Sequence, residues 1–176
     1  IHPYDDPRVI AGQGTATMEF LEDVPDLDAI VVPIGGGGLA AGCCIAAAAL
    51  NPDLEIVGVQ ADAYPSMYQA FRAEPPHGKG ATIADGIAVK EPGAITTPIL
   101  KAHMKDVAVV READIESAVQ GMIDVQRLIV EGSGAVPLAL VLAEPERFNG
   151  RKIGLMVSGG NIDSRLLSSV LMRGLV

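Results

Sequence analysis

One stretch, residues 29–49, constrains the fold of this chain more than any other. It reads A-I-V-V-P-I-G-G-G-G-L-A-A-G-C-C-I-A-A-A-A. The β-branched residues between positions 30 and 34 predict a short buried strand, and the glycines at 35–38 end it. The alanine-rich run from Leu39 onward predicts a helix, since alanine has the highest helix propensity. The stretch therefore predicts a strand, a glycine turn and a helix in direct succession.

The glycine turn is a candidate binding site for an anion. Because glycine lacks a Cβ atom, several backbone N–H groups of residues 35–38 can approach one ligand closely. The helix that follows adds its unpaired N–H groups and the positive end of its dipole. The turn therefore predicts a phosphate site in which backbone groups are the ligands. The alternative is a tight strand-to-helix connection without a ligand.

The same region carries no charge from residue 29 to residue 50, about the length that a transmembrane helix needs. A membrane span is nevertheless excluded, because Pro33 and four consecutive glycines would break such a helix and alanine adds little hydrophobicity. We expect no association with a membrane.

Composition narrows the class of protein further. The chain has 176 residues, of which 49% are hydrophobic, so it is long enough for one globular domain with a sizeable core. The formal net charge of -9 argues against binding to nucleic acid, whose phosphates are met by clustered Lys and Arg. Cys43 and Cys44 are adjacent in the alanine-rich helix, where they point to different faces and cannot easily form a disulfide. We expect two buried free thiols and a cytoplasmic location.

Predicted strands and helices alternate along the chain. The strands lie at 30–34, 55–60, 106–111 and 152–157, and the helices at 9–23, 39–50, 62–73, 97–103, 115–129 and 137–143 and from about 163 onward. This order predicts an α/β fold, a parallel doubly wound sheet with helices on both faces, in which ligands bind at the carboxyl ends of the strands. Glycine turns at 35–38 and 159–160 each follow a strand, so we expect them to share one ligand.

The helix at 115–129 has a predicted cap and a predicted buried face. Asp114 is expected to cap its first turn. The apolar side chains at helical spacing, which we expect to face the core, are Ala118, Met122, Val125 and Ile129.

Five segments of the sequence resemble one known family. They are I-H-P-Y-D-D-P-x-V-I-A-G-Q-G-T at 1–15, V-P-I-G-G-G-G-L at 32–39, I-A-D-G at 83–86, E-G-S-G-A at 131–135 and S-G-G-N-I-D at 158–163. In this order, and spanning nearly the whole chain, they resemble the threonine dehydratase and serine racemase branch of the fold type II pyridoxal-phosphate enzymes.

The resemblance implies roles for individual residues. The backbone that would hold the phosphate of pyridoxal 5′-phosphate comprises Gly35, Gly36, Gly37, Gly38 and Leu39. Ser158 would face the pyridine nitrogen, Gly86 would lie beside the ring, and Glu131 would be a polar neighbour of the ring. Taken without the resemblance, these three residues also fit a strand-to-helix turn, an ordinary turn and a helix kink.

A serine opposite the pyridine nitrogen agrees with the implied reaction. Its hydroxyl can donate to an unprotonated nitrogen, whereas a carboxylate would keep the nitrogen protonated and strengthen the electron sink. A weaker sink favours prompt loss of a β-hydroxyl group over a long-lived carbanion. The resemblance therefore implies an enzyme that takes a small amino-acid substrate, threonine or serine, and converts it to a 2-oxo acid and ammonia.

The catalytic lysine of the family has no counterpart here. Members of the family bind the cofactor covalently through a lysine in a motif like S-x-K-x-R-G and hold the substrate carboxylate with an S-x-G-N-H loop, and neither motif occurs in this sequence. No catalytic residue is assigned. Residues 1–176, which open on Ile and not Met, are expected to form a single α/β domain from the C-terminal half of a longer catalytic chain. We expect this domain to be inactive alone and the full-length protein to be a homo-oligomer, by analogy a dimer.

Without the resemblance, the residues are compatible with two other functions. Residues 36–41 fit a loose G-x-G-x-x-A pattern after a strand, and Asp62 follows the next strand, as in a dinucleotide-binding domain. The second is a non-catalytic phosphate-binding or structural module. No metal is predicted, because Gln60 ends the second strand where some relatives have a carboxylate, and the three histidines lack ligand spacing.

Overall fold

Four parallel strands form the centre of the computed structural model, which describes residues 1–173. They are β1 (Ala29–Pro33), β2 (Glu55–Ala61), β3 (Val107–Val110) and β4 (Ile153–Leu155). In the sheet they lie in the order β3-β2-β1-β4, and β1 pairs with both β2 and β4. In chain order, β2 therefore pairs with β1, β3 pairs with β2, and β4 then pairs with the opposite edge of β1.

Helices precede, connect and follow the strands, and parallel pairing requires the connecting ones. They are α1 (Pro7–Asp23), α2 (Gly38–Leu50), α3 (Ser66–Phe71), α4 (Thr96–His103), α5 (Glu112–Gly121), α6 (Gly132–Ala143), α7 (Pro145–Phe148) and α8 (Ser164–Arg173). A 3-10 turn lies at Asp85–Ile87 and a π-helical turn at Met122–Gln126. Within residues 1–173, no helix has both the length and the apolar character needed to cross a bilayer.

The strands bury side chains on both faces of the sheet, because successive residues point to opposite sides. In β1, Ala29 and Val31 belong to a core that includes residues of α5, α6 and α8. Ile30 and Val32 belong to a second core with residues of α1 and α2. The predicted α/β class, a doubly wound parallel sheet with helices on both faces, is therefore confirmed.

Several predicted boundaries differ from the observed ones. α3 covers only Ser66–Phe71 of the predicted helix at 62–73, and β4 covers only Ile153–Leu155 of the predicted strand at 152–157. The short helix α7 (Pro145–Phe148) was not predicted. The first two differences concern the ends of elements, α7 is an additional short helix, and the order of the strands is unchanged.

The predicted N-cap of α5, Asp114, is wrong: the N-cap is Arg111. α5 begins at Glu112, three residues earlier than the predicted start at Ile115. Asp114 lies inside the first turn, and its carboxylate accepts a hydrogen bond from the backbone N–H of Arg111 at 3.2 Å. The Arg111 guanidinium holds the pKa of the Asp114 carboxyl below its usual value.

The predicted continuation of this helix to residue 129 is wrong. α5 gives way to the π-helical turn after Gly121, and Arg127 then takes a left-handed conformation with φ of 58°. Val125 and Ile129 are 75% and 61% exposed, so they do not face the core as predicted. A π turn holds more residues than an α turn, so it shifts the phase of every later side chain.

The helices α1 and α2 pack with their backbones in close contact. A Cβ atom on Gly14 would lie 2.9 Å from the carbonyl oxygen of Gly42, and one on Gly42 would lie 2.5 Å from the backbone nitrogen of Gly14. Only residues without a Cβ atom allow this approach. By contrast, Gly12 is exposed on α1, with no atom within 4 Å of its Cβ position.

Gly42→Ala is expected to destabilise the chain by about 1 to 3 kcal/mol, because the added methyl group must push α1 away from α2. The matched substitution Gly12→Ala is expected to stabilise it by about 0.5 to 1 kcal/mol, since alanine is the better helix former. Urea denaturation followed by circular dichroism measures both free energies of unfolding. Equal effects of the two substitutions would contradict the close packing.

Both predicted free thiols are buried in α2. Burial raises the pKa of the Cys43 thiol above its ordinary value and raises that of Cys44 to about 12. The thiolate is the reactive form of cysteine, so both thiols are protected in the folded chain. The folded chain keeps its thiols protonated where the unfolded chain ionises them, so stability falls as pH rises from about 9 towards 12.

Cys43 and Cys44 are expected to resist a thiol-specific chromogenic reagent at about pH 8 and to react fully in concentrated guanidinium chloride. Val125→Cys is the positive control, since position 125 is 75% exposed and should react promptly in the folded chain. Rapid modification of the native thiols in the unsubstituted chain would show that α2 opens readily.

Candidate functional site

The carboxyl ends of β1 and β4 lie side by side, because these two strands pair in parallel. They lie where the strand order reverses, which is where open α/β sheets bind their ligands. The glycine turn at 35–38 follows β1, and Ser158 lies shortly beyond β4. The structure therefore brings the two predicted turns to one edge of the sheet.

The glycine turn leaves a row of backbone donors without protein partners. Gly37 has φ of 98°, a conformation that side chains rarely allow, and it precedes α2 without a capping side chain. The N–H of Ala41 donates to the Gly37 carbonyl oxygen at 2.8 Å. In the described part of the chain, the N–H groups of Gly36, Gly37, Gly38 and Leu39 donate to no protein acceptor. The three glycines are buried, and buried donors in this arrangement suit a phosphate.

Residues 1–6, here called the N-terminal strap, cover the glycine turn. The aromatic ring of Tyr4 occupies the place that a side chain on Gly36 would need, and the Tyr4 Cα lies 2.9 Å from the Cβ position of Gly38. The Tyr4 hydroxyl donates to the carbonyl oxygen of Glu91 at 3.3 Å. Sequence reasoning identified the motif at 1–15 but not this contact, because the residues that meet are more than thirty positions apart.

A cleft of about 250 Å³ lies between the strap, the glycine turn and the end of β4. The predicted cofactor-binding residues that line it are Gly35, Gly36, Gly37, Gly38, Leu39, Gly86 and Ser158. No charged side chain of the described residues lines this cleft. Backbone dipoles are therefore the local source of positive potential for an anion.

The 3-10 turn at Asp85–Ile87 brings Gly86 against the start of α6. A Cβ atom on Gly86 would lie 2.9 Å from the Ser133 Oγ and 3.4 Å from the Glu131 Oε1. Ser133 is 2% exposed, and its hydroxyl has no hydrogen-bond partner among the described residues. A side chain at position 86, beside the cleft, would therefore displace the Ser133 hydroxyl.

Glu131 does not line the cleft and instead connects two turns of the site. Its backbone N–H donates to the Gly159 carbonyl oxygen at 3.1 Å, and its carboxylate accepts from the backbone N–H of Asn161 at 3.2 Å. A Cβ atom on Gly159 would lie 2.5 Å from its Oε1. Glu131 thus holds the segment that carries Ser158, and its predicted place beside a cofactor ring stays a prediction.

Asp5 and Thr96 stabilise the glycine turn through a chain of hydrogen bonds, and neither residue was identified from the sequence. The Asp5 carboxylate accepts hydrogen bonds from the backbone N–H groups of Ala94, Ile95 and Thr96, at 3.0, 2.8 and 3.2 Å. The Thr96 hydroxyl donates to the carbonyl oxygen of Gly36 at 2.6 Å. The strap and the start of α4 are thereby attached to the glycine turn.

The fold and the site together define a class: an α/β domain whose glycine turn and neighbouring serine meet at the edge of a parallel sheet. The family model described as pyridoxal-phosphate dependent enzyme matches residues 1–159. The chain belongs to this family of enzymes, and the unpaired N–H donors of its glycine turn fit the phosphate of that cofactor.

Named relatives and solved structures agree with this family assignment. The chain is 41% identical over 179 residues to an L-threonine ammonia-lyase from Thermotoga maritima, covering 100% of this chain and 44% of the relative. It superimposes with a TM-score of 0.91 on the processed form of threonine deaminase isoform 2 from Solanum lycopersicum, at 32% identity over 100% of this chain and 50% of that one. For serine racemase from Dictyostelium discoideum the TM-score is 0.84, at 38% identity, and the match covers 93% of this chain and 53% of that one. The chain spans about half the length of these proteins.

Gly36→Ala is expected to weaken binding of pyridoxal 5′-phosphate by at least about tenfold, because the added methyl group collides with the Tyr4 ring and displaces the turn. In the Tyr4→Ala background the same substitution should cost much less. Equilibrium dialysis of the four chains gives the coupling between the two positions. Additive effects would show that Tyr4 does not constrain the turn.

Proposed function

We propose that this chain is the cofactor-binding part of a pyridoxal-phosphate-dependent ammonia-lyase that acts on L-threonine or L-serine. The observation that carries the proposal is the buried glycine turn, whose N–H groups find no protein acceptor among residues 1–173 and which shares a cleft with Ser158. The similarity to an L-threonine ammonia-lyase supports the choice of reaction.

The proposed roles follow the positions of the residues in the cleft. The backbone donors that would bind the phosphate belong to Gly35, Gly36, Gly37, Gly38 and Leu39. Ser158 would donate its hydroxyl proton towards the pyridine nitrogen, and Gly86 would leave room for the face of the ring. Glu131 would keep the Ser158 segment in place through its contacts with Gly159 and Asn161.

The neutral donor at position 158 favours elimination. When bound, pyridoxal 5′-phosphate supplies an electron sink for the bonds at the substrate Cα. Ser158 carries no charge, so it does not hold the pyridine nitrogen protonated as a carboxylate would. Loss of the Cα proton and the β-hydroxyl group as water is then favoured, and hydrolysis of the released enamine by water gives a 2-oxo acid and ammonia.

Activity requires residues that this chain does not supply. The sequence has no S-x-K-x-R-G or S-x-G-N-H motif, and the chain spans about half of its relatives. We propose that a complementary segment supplies the lysine and the loop for the substrate carboxylate, and that the complete enzyme is a cytoplasmic homodimer. The two reduced, buried thiols suit a reducing compartment.

A dinucleotide-binding role is less well supported. Asp62, the candidate ribose-binding acid, is exposed beyond β2 and does not line the cleft described above. The Tyr4 ring also lies against the glycine turn on the side where a side chain at position 36 would project.

A reconstitution experiment tests the proposal. The chain alone is expected to bind pyridoxal 5′-phosphate and to release no ammonia from threonine or serine. Addition of a separately produced segment with the S-x-K-x-R-G and S-x-G-N-H motifs should give ammonia and a 2-oxo acid. Binding of NADH, without binding of pyridoxal 5′-phosphate, would overturn the proposal in favour of a dinucleotide-binding domain.

In the reconstituted enzyme, Ser158→Ala is expected to lower kcat/KM for threonine roughly tenfold through loss of one hydrogen bond. Ser168→Ala is the matched control, because this serine is exposed on α8 and its hydroxyl donates only to the Ser164 carbonyl oxygen in the described structure. Equal activities of the two variants would exclude a role for Ser158 in the reaction.

A further inference from the structure

The carbonyl oxygen of Gly36, in the glycine turn, accepts two hydrogen bonds. It accepts a hydrogen bond from the Thr96 hydroxyl at 2.6 Å and another from the backbone N–H of Gly93 at 3.1 Å. Thr96 is fully buried and does not line the cleft. Both donors belong to the segment that begins α4, far from the turn in sequence.

This carbonyl group determines where the next N–H points. In a trans peptide the C=O of one residue and the N–H of the next point in opposite directions. No cis peptide bond occurs among the described residues, so the N–H of Gly37 points away from Thr96. Gly37 lines the cleft, and its N–H has no acceptor within residues 1–173.

The position of Thr96 is itself fixed by the N-terminal strap. The Asp5 carboxylate accepts hydrogen bonds from three successive backbone N–H groups, those of residues 94–96. A Cβ atom on Gly37 would lie 2.7 Å from the Thr96 Oγ1, so the turn and α4 are in direct contact. The strap, the start of α4 and the peptide between Gly36 and Gly37 therefore form one connected unit.

We propose that Thr96 is a positioning residue for the cofactor phosphate, because it holds the Gly36 carbonyl group away from the cleft and so keeps the Gly37 N–H directed into it. Asp5 supports this function by fixing the start of α4. The inference rests on the proposed function, since the phosphate belongs to pyridoxal 5′-phosphate. A rotated peptide would instead present the carbonyl oxygen of Gly36, which repels an anion.

Selectivity for the phosphate group separates this function from a structural one. Pyridoxal 5′-phosphate and pyridoxal share the ring and differ in the phosphate, so the ratio of their affinities reports the phosphate contacts alone. Thr96→Val removes the hydroxyl and keeps the shape of the side chain. Thr15→Val is the matched control, since the exposed Thr15 hydroxyl donates to the Gly12 carbonyl oxygen within α1, away from the turn.

The experiment is calorimetric titration of both ligands into the unsubstituted chain and its variants. Thr96→Val is expected to weaken pyridoxal 5′-phosphate binding roughly tenfold and pyridoxal binding less than about twofold. Thr96→Ser should restore the preference to within about threefold, and Thr15→Val should change it by less than about twofold.

The outcomes distinguish the inference from the proposed function. If the unsubstituted chain shows no preference for pyridoxal 5′-phosphate, both are overturned. If it shows the preference and Thr96→Val keeps it, or loses affinity for both ligands equally, only the role of Thr96 is overturned.

If the Thr96→Val variant does not fold, an NMR titration of the unsubstituted chain tests the inference instead. Inorganic phosphate is expected to shift the amide resonance of Gly37 in a nitrogen-15 NMR spectrum and to leave that of the exposed Gly12 unchanged. An unshifted Gly37 resonance at saturating phosphate would overturn the inference.

Discussion

Buried backbone N–H groups without a protein acceptor are the constraint on which the rest of this structure depends. Each such donor costs about 1 to 3 kcal/mol when it is left unpaired, so a fold keeps several of them only where a ligand can accept their hydrogen bonds. In the described chain the N–H groups of Gly36, Gly37 and Gly38, at the start of α2, are donors of this kind. The N-terminal strap and the segment that begins α4 both contact this turn.

The turn is supported by segments that are distant in sequence. Tyr4 packs against Gly36 and Gly38, and Thr96 contacts Gly37, so a particular neighbour requires glycine at each of these three positions. Replacement of any of them would move a neighbour as well as the turn. The shape of the binding surface is therefore set by the three parts of the chain that enclose it, since glycine by itself allows many backbone conformations.

The contacts of Glu131 change the interpretation of the E-G-S-G-A segment. The resemblance implied a polar neighbour of the cofactor ring, whereas the structure shows hydrogen bonds to Gly159 and Asn161. The two interpretations are compatible, because the same carboxylate also lies near the Cβ position of Gly86. The buried hydroxyl of Ser133 lies at the same junction without a partner among the described residues.

The sequence by itself determined the local structure and the family. Alternating strands and helices and the run from Ala29 to Leu50 were enough for the local structure, because strand and helix preferences depend on residues close in sequence. The family required the five motif segments between residues 1 and 163. The π-helical turn escaped prediction, since a regular spacing of apolar residues carries no sign of a change in helical phase. Only the tertiary structure identified Tyr4, Asp5 and Thr96, whose contacts join segments between about thirty and ninety residues apart. Such contacts are set by the order of strands in the sheet and leave no periodic pattern in the sequence.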